Sequence, residues 1–551
     1  MWAGKLTYGK STMPDYPEEY TEGAPLPQLF IEWGCDSINH SLRHQTKTYI
    51  DNHVPIIVVD PMRTNTAKKA EMWVRVRPGA DGALAMGLLK VIIEDELYDK
   101  EYVTNWTVGF DAIREEVKNF SLDEVERITW VPKEQVQELA RRYATTKPAV
   151  LEDGNSMEGL KNAFDIFRVF CILRAITGNL NIPGGEVWLK APIRVRPGHM
   201  MLLSKIGRDY DNAVGNEFKL AMRTAYVPWQ AITKAGKEGI PYPIKAAICC
   251  LTNPLLSYPD SNATYEAFIN MDFIAVLELF HTPTTAIADI VLPAAWTWED
   301  DTIGYWSGWY EEYRGYPQVV PPPGEAWTDT KIFNELGKRV GLAEYFWQDD
   351  KEALDEYLSG TGFNFKDLLE KRKLMPTKDY KTPAEEPIAT PSGKVEIYSR
   401  TLGAQGHDPI PRWEKLSRLP GELSEAYPLA LTNAKSNTYM LTGFKMIPKL
   451  REREPNPLVK LNPQTAREIG AEDGDWIYIE TPKGRITQKL AIDPDLDPRV
   501  VIAAFGWWYP EDSPDDGWRK SNVNILTGYE DPGQPIGAPD LKGIPCRVYK
   551  A

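Results

Sequence analysis

Two stretches of this chain set a turn and an acid at the same distance. The run QLFIEWG (28–34) has the composition of a buried strand closing on a glycine turn, and the next strand, VPIIVVD, ends on Asp60, twenty-six residues after Gly34. Much later, AAICCLTNP reads as a strand entering a turn at Thr252, and DFIAVLE ends on Glu278, again twenty-six residues on. Each acid precedes a Thr-Ala step and an Ala-acid step: Thr66-Ala67 with Ala70-Glu71, and Thr285-Ala286 with Ala288-Asp289. Both segments close on a strand and a proline, VRVRP and IVLP, although the spacing inside the motif differs by one residue. In a parallel sheet, a polar turn after the first strand approaches phosphate, and an acid some 20 residues later binds ribose hydroxyls. Two such units predict two nucleotide-like groups. Two ordinary α/β units whose strand-end acids are caps and turns fit the same spacing.

These residues need a scaffold. A polar helix is expected from Asn39 to Asn52, a third strand at MWVRVRP, and an apolar-periodic helix from Asp81 to Leu97 with Leu84, Leu88, Val91 and Ile92 on one face. Helices are also expected over Pro132–Thr145, Leu160–Thr177 and Ser261–Asn270. Strands alternating with helices of this length mean parallel βαβ units. The last 130 or so residues change character: YPLALTNAK, a short helix NPQTAREIG closed by Gly470, a hairpin around Pro482-Lys483-Gly484, and VVIAAFGWW read as a compact β-barrel. The expected fold is two doubly wound α/β dinucleotide-binding domains (1–190 and an incomplete 244–415) joined by an irregular connector (191–243), then a C-terminal β-barrel of double-psi type (416–551).

Composition narrows the function. With 551 residues, 42% hydrophobic and 26% charged, the chain is globular and long enough for three or four domains. A net charge of −15 excludes a nucleic-acid groove or an anionic membrane surface as the main partner, since both need a basic footprint. The longest apolar runs, such as Ala246–Leu251, are strand-sized, so no membrane insertion is expected, and MWAGKLTYGK carries no secretion pattern. The five cysteines are scattered, none as Cys-x-x-Cys, and Cys249 and Cys250 read as buried core. His40 and His44 have zinc spacing on a helix, but no Glu follows His40 and no third ligand stands nearby, so a solvated helix face is the better reading.

Taken together, the motifs resemble the molybdopterin and tungstopterin enzymes of the dimethyl-sulfoxide-reductase superfamily. VVDPMRTNTAKKAEMWVRVRPGADGAL, LRAITGNLNIPGG, LTNPLLSYPD, ELFHTPTTAIADIVLPAAWTWED and KLNPQTAREIGAEDGDWIYIETPKGRI follow that family's order over nearly the whole chain. ATPSGKVEIYS and DELYDKEYVTNW look closest to its acetylene-hydratase-like branch. The resemblance implies a bis-(molybdopterin guanine dinucleotide) cofactor holding molybdenum or tungsten, a small-molecule substrate, and an iron–sulfur electron-transfer subunit as partner. By the same resemblance, Gly34, Asp36 and Asn39 would lie along the first dinucleotide, Asp60 and Arg63 near its ribose and guanine, and Gly79 and Asp81 would complete that pocket. Asn253, Glu278 and Thr282 would hold the second, while Thr432, Lys435, Asn462, Asn524 and Lys542 would reach pterins and phosphates from the barrel. Here Asp36-Ser37 replaces the family's Asn-Pro, and Met62 stands where Asp-Pro-Arg has its arginine.

The family's 4Fe-4S domain and metal-ligating side chain would both precede residue 1, so the chain reads as a truncated catalytic subunit, cytoplasmic as it stands, or periplasmic if a signal lies upstream. Its chemistry would be oxygen-atom or hydride transfer, or non-redox hydration; a binding or structural subunit that has lost ligand and cluster is the alternative from another class. No catalytic residue or metal ligand is assigned. The 551-residue chain is expected to carry no cluster, which needs about four converging thiolates, and no firmly held molybdenum or tungsten. Metal analysis of the purified protein tests this: near-stoichiometric iron, or one tightly bound molybdenum or tungsten per chain, would overturn the truncation reading and return Cys35 as a candidate ligand.

Overall fold

Alternation at period two builds the first sheet. The computed structural model describes residues 2–15, 25–39, 43–193, 212–222, 226–305, 312–512 and 516–551. Strands β1 (Leu29–Trp33), β2 (Ile56–Val59), β3 (Met72–Val74) and β4 (Ala149–Asp153) are parallel in the order β3-β2-β1-β4. Leu29, Ile31, Trp33, Ile57 and Val59 enter one core with Leu84, Leu88, Val136, Leu139, Val169 and Phe170. The latter residues come from helices α2 (Asp81–Glu94), α3 (Lys133–Thr145) and α4 (Ala163–Ile176). Phe30, Ile56, Val58 and Val150 face the other way, onto Tyr49 of α1 (Arg43–Asp51). Both faces are covered, which makes the sheet doubly wound and explains its unbroken apolar strands.

The second sheet has three parallel strands, β5 (Ala246–Cys250), β6 (Phe273–Glu278) and β7 (Ile290–Pro293), in the order β7-β6-β5. Cys249, Ile274 and Val276 pack against Phe268 of α6 (Ser261–Ile269) and Trp229 of α5 (Trp229–Glu238). The expectation that both adjacent cysteines are core therefore holds for one of them. Cys250 lies on the opposite face, half-buried, where burial and then the Asp329 charge push its thiol up to about 12. The region 191–243, expected to be irregular, contains α5 and the short helix Lys219–Met222 among its described residues. His40 and His199 lie outside the described residues, so the His40–His44 pair is not seen whole.

Barrel strands β8 (Leu429–Ala434), β9 (Leu458–Leu461), β10 (Trp476–Thr481), β11 (Gly484–Ile492), β12 (Val500–Ala504) and β13 (Ile544–Lys550) close in the order β8-β12-β9-β11-β10-β13. Two parallel pairings, β8 with β12 and β9 with β11, interlock within an otherwise antiparallel barrel, in keeping with the double-psi expectation. The boundary expected at 415 does not match the packing. Ile388, Val395, Ile397, Ile410 and Leu416 enter the first unit's core, and Val395–Glu396 pairs with Thr107–Val108. Burying this apolar segment on the first unit wins over its place in the chain. Among the described residues no helix is long and apolar enough to cross a membrane.

The barrel docks on the first unit through backbone at van der Waals limits. Gly543 has φ +75°, and a Cβ there would drive into the Pro78 carbonyl oxygen, while its N–H donates to Leu431 O at 2.7 Å. Gly543→Ala should combine a left-handed backbone penalty with a steric clash, about 2 kcal/mol or more. Urea denaturation checks this; an unchanged midpoint would mean that the contact is dispensable.

Candidate functional site

The carboxyl ends of β1, β2 and β4 converge. Trp33 pairs with Val59 and with Asp153, so Gly34, Asp60 and Gly154 leave the sheet side by side. Gly34 N–H donates to Val59 O at 2.9 Å and Gly154 N–H to Trp33 O at 2.8 Å. Gly34 has φ +69°, and a Cβ there would collide with Ser156 Oγ; one on Gly154 would strike the Gly34 carbonyl. The turns cross this closely only as bare backbone.

Asp36 fastens the first turn to the one after β2. Its Oδ1 accepts from the Thr66 N–H and Oγ1, both at 2.9 Å, and its Oδ2 accepts from Asn39 Nδ2 at 2.6 Å. Beneath it, buried Glu32 accepts from the Ser37 N–H and hydroxyl, and burial, opposed by those bonds, lifts its carboxyl to about 8.

Beside these turns stands a buried set of charges. Asp60 Oδ1 accepts from the Met62 N–H at 2.8 Å, and Asp81 Oδ1 from Trp33 Nε1 at 2.8 Å. From the barrel comes Lys542, whose Nζ donates to Asn433 Oδ1 at 2.8 Å and to its carbonyl at 3.3 Å. A Cβ on Gly79 would sit 3.0 Å from the Lys542 carbonyl, so the 77–81 turn and the lysine's backbone are in contact. Burial raises Asp60 to about 7; the Met62 N–H and Lys542 oppose this, and the Asp81 and Asp36 charges add to it. Burial also raises Asp81, opposed by Trp33 and Lys542. Lys542 falls to about 8 through burial and then the Lys435 charge, with Asp60 and Asp81 pulling the other way. The lysine forms a salt bridge with neither acid; its ammonium is held by Asn433 instead.

The second unit repeats the layout with one substitution. Leu277 pairs with Cys250, so Glu278 and Leu251 emerge together as Asp60 and Gly34 do. The counterpart of Gly34 is therefore Leu251, with φ +56°, and not Thr252 as the spacing suggested. The turn-to-acid distance is thus one residue longer in the second unit, and a non-glycine residue in the left-handed region is a costly conformation kept at such a turn. Burial raises Glu278, opposed by the Leu279 and Phe280 N–H groups. Asn253 Oδ1 accepts from Thr284 Oγ1 at 2.5 Å, and Thr282 caps the turn 283–286 by accepting from the Thr285 N–H at 3.3 Å.

Of the expected site residues, Gly34, Asp36, Asn39, Asp60, Gly79, Asp81 and Lys542 gather at the first strand ends, with Thr432 buried in β8 nearby and Lys435 exposed beyond it. Asn253, Glu278 and Thr282 gather at the second. Arg63 instead turns outward, half-exposed, 3.5 Å from Asp495. Asn462 uses both polar atoms inside the barrel, accepting from the Gln464 N–H and donating to Leu496 O, each at 2.7 Å. Asn524 donates to Leu256 O at 2.8 Å, joining the barrel to the second unit. Sequence reasoning missed Trp33 and Asn433, which orient Asp81 and Lys542. Trp33 carried a signal in its place at the end of β1; Asn433 carried only its neighbour Thr432.

Asp60 makes stability depend on pH with a definite sign. Its carboxyl sits at about 7 in the folded chain against an ordinary 3.8, so between those values the folded state binds the proton and the unfolded state has lost it. Its contribution is intact below pH 3.8 and declines as pH rises to about 7; Lys542, at about 8 against 10.5, restores stability between those values. Asp60→Asn should raise stability at pH 7.5 by on the order of 2 kcal/mol, with little effect at pH 4. Denaturation curves across pH check this, and an equal effect at both ends would contradict it.

Comparison with known proteins agrees with this geometry. The molybdopterin oxidoreductase family model matches residues 30–339, and the molybdopterin dinucleotide binding domain matches 429–545. Acetylene hydratase of Syntrophotalea acetylenica is 30% identical over 95% of this chain and 77% of its own length. The F420-dependent formate dehydrogenase subunit alpha of Methanocaldococcus jannaschii is 27% identical over 87% of this chain and 69% of its own. The solved structure of acetylene hydratase from Pelobacter acetylenicus superposes with a TM-score of 0.87 at 27% identity, covering 100% of this chain and 80% of that one. With two α/β sheets, a closed barrel and acids at matched strand ends, the chain belongs to the molybdopterin oxidoreductase family, with a dinucleotide-binding domain of the kind that serves a pterin cofactor of molybdenum or tungsten.

Proposed function

We propose that this chain is the catalytic polypeptide of a bis-(molybdopterin guanine dinucleotide) enzyme acting on a small molecule, each α/β unit holding one guanine dinucleotide. The observation that carries this is the duplicated strand-end pair, Gly34 with Asp60 and Leu251 with Glu278, each acid raised by burial. The residues fit the group. The Gly34–Gly154 crossing leaves backbone open to close approach, and desolvated carboxyls gain most from hydroxyl or ring N–H donors.

When bound, such a cofactor supplies two-electron redox chemistry or Lewis-acid activation of water. The chain's own residues bind and orient. Asp60 and Asp81 accept from the first nucleoside, Lys542 offers a cation to its anionic part, and Glu278 accepts from the second. Trp33 and Asn433 hold Asp81 and Lys542 in place. Oxygen-atom or hydride transfer would draw on an iron–sulfur electron-transfer partner and a 4Fe-4S cluster. Hydration without net electron transfer is the second reading, favoured by the likeness to acetylene hydratase over nearly the whole chain. Water addition to acetylene without an electron acceptor separates the two.

In protein made by cells that produce the dinucleotide, Asp60→Ala and Glu278→Ala should each remove a charge-assisted bond, of order 1.5–3 kcal/mol, and lower the guanine nucleotide released on denaturation. A full complement retained by either variant would count against that unit's assignment.

A further inference from the structure

We infer that Glu32 is a positioning residue for the first unit's nucleotide: as a neutral acid it holds the turn that follows β1, and nucleotide binding at that turn is coupled to a proton on this carboxyl. This deepens the proposed function and rests on it. Glu32 is fully buried on β1 and sits on the α1 face of the sheet, between its register partners Val58 and Glu152. The turn folds back over it. The Ser37 N–H lies 3.3 Å from both carboxyl oxygens, the Ser37 hydroxyl bonds to Oε2, and Thr46 of α1 donates to the Ser37 hydroxyl at 2.6 Å. Asp36, the adjacent residue, ties the same turn to Thr66 and Asn39. Ser37 stands where the family has proline, which has neither an N–H nor a hydroxyl to give. The buried acid and the serine therefore form one device.

The titratable groups around Glu32 are acids. Asp36 and Cys35 belong to its own turn, Glu152 is its partner on β4, and Asp60 and Asp153 stand at the ends of the neighbouring strands. The basic residues of the elements packed here, Arg43, His44 and Lys47 on α1 and Lys68 and Lys69 after Thr66, are exposed. Among the described residues no ion pair reaches Glu32. Burial keeps its proton on up to about pH 8; the Ser37 bonds oppose this and the Asp36 charge adds to it. The phosphates of a nucleotide approach a turn of this kind. A carboxylate beneath the turn would repel them with little screening, because the site is desolvated. Binding is therefore full while Glu32 holds its proton and falls as pH rises through about 8.

The test titrates GDP into the whole purified chain by calorimetry at about pH 7, 8 and 9, for the parent and for Glu32→Gln. Binding at the first unit is identified as the part that Asp60→Ala removes. Asp60 and Lys542 titrate over the same range in both proteins, so the quantity read is the ratio of the variant's affinity to the parent's. That ratio should be about tenfold larger at the highest pH than at the lowest, because only about one parent molecule in ten then keeps the Glu32 proton. Near pH 8, buffers of different ionisation enthalpy should show the parent taking up about half a proton more per GDP than Glu32→Gln. Ser37→Ala removes a bond that favours the carboxylate and should move the parent's decline to higher pH, which keeps the test decisive if the glutamine variant does not fold. A ratio that does not change with pH, equal proton uptake, or a decline that Ser37→Ala leaves in place would overturn the inference and make Glu32 a structural anchor only, with the nucleotide assignment standing. No GDP binding by the parent at any of these pH values would overturn both.

Discussion

Desolvation of unlike charges across one interface organises the first half of the site. Asp60 and Asp81 end one strand and begin one helix, and Lys542 arrives from the edge of the barrel that docks on the first unit. Burial pushes both acids up and the amine down, and Lys542 makes no salt bridge with either acid. Such an arrangement is unfavourable when empty and becomes favourable when a polar ligand supplies donors to the acids and an anion to the amine. The site stores its binding capacity as uncompensated burial.

That arrangement survives because the framework around it is overdetermined. Arg174, buried in α4, reaches Asp153, the Leu151 carbonyl at 2.6 Å and Glu186 at 3.3 Å, and so fixes the end of β4 beside the Gly34 turn. Asp36 and Thr66 bind the first two turns together. Asn522 and Asn524 reach from the barrel to the carbonyls of Leu255 and Leu256 at 3.0 and 2.8 Å and fix the second unit. The Gly543–Pro78 contact sets how far Lys542 can stand from Asp60 and Asp81.

Much of this was legible in the sequence where the physics is local. Unbroken apolar strands, helical periodicity in Asp81–Glu94, and acids at strand ends are properties of short stretches. The repeat was readable too, but the residue facing Glu278 was misplaced by one, because only register shows that Leu251 adopts the conformation glycine holds in the first unit. Long-range geometry left weaker traces. Val395 and Leu416 are ordinary apolar residues until they pack on the first unit. Family resemblance supplied Lys542; charge and spacing alone would have left it on the surface.

The account rests on two nucleotides held by two strand-end acids. A crystal structure of the cofactor-loaded protein tests this most directly. It should place one guanine dinucleotide with its nucleoside hydrogen-bonded to Asp60 and a second hydrogen-bonded to Glu278. A single dinucleotide, or two whose nucleosides lie away from both carboxylates, would contradict it.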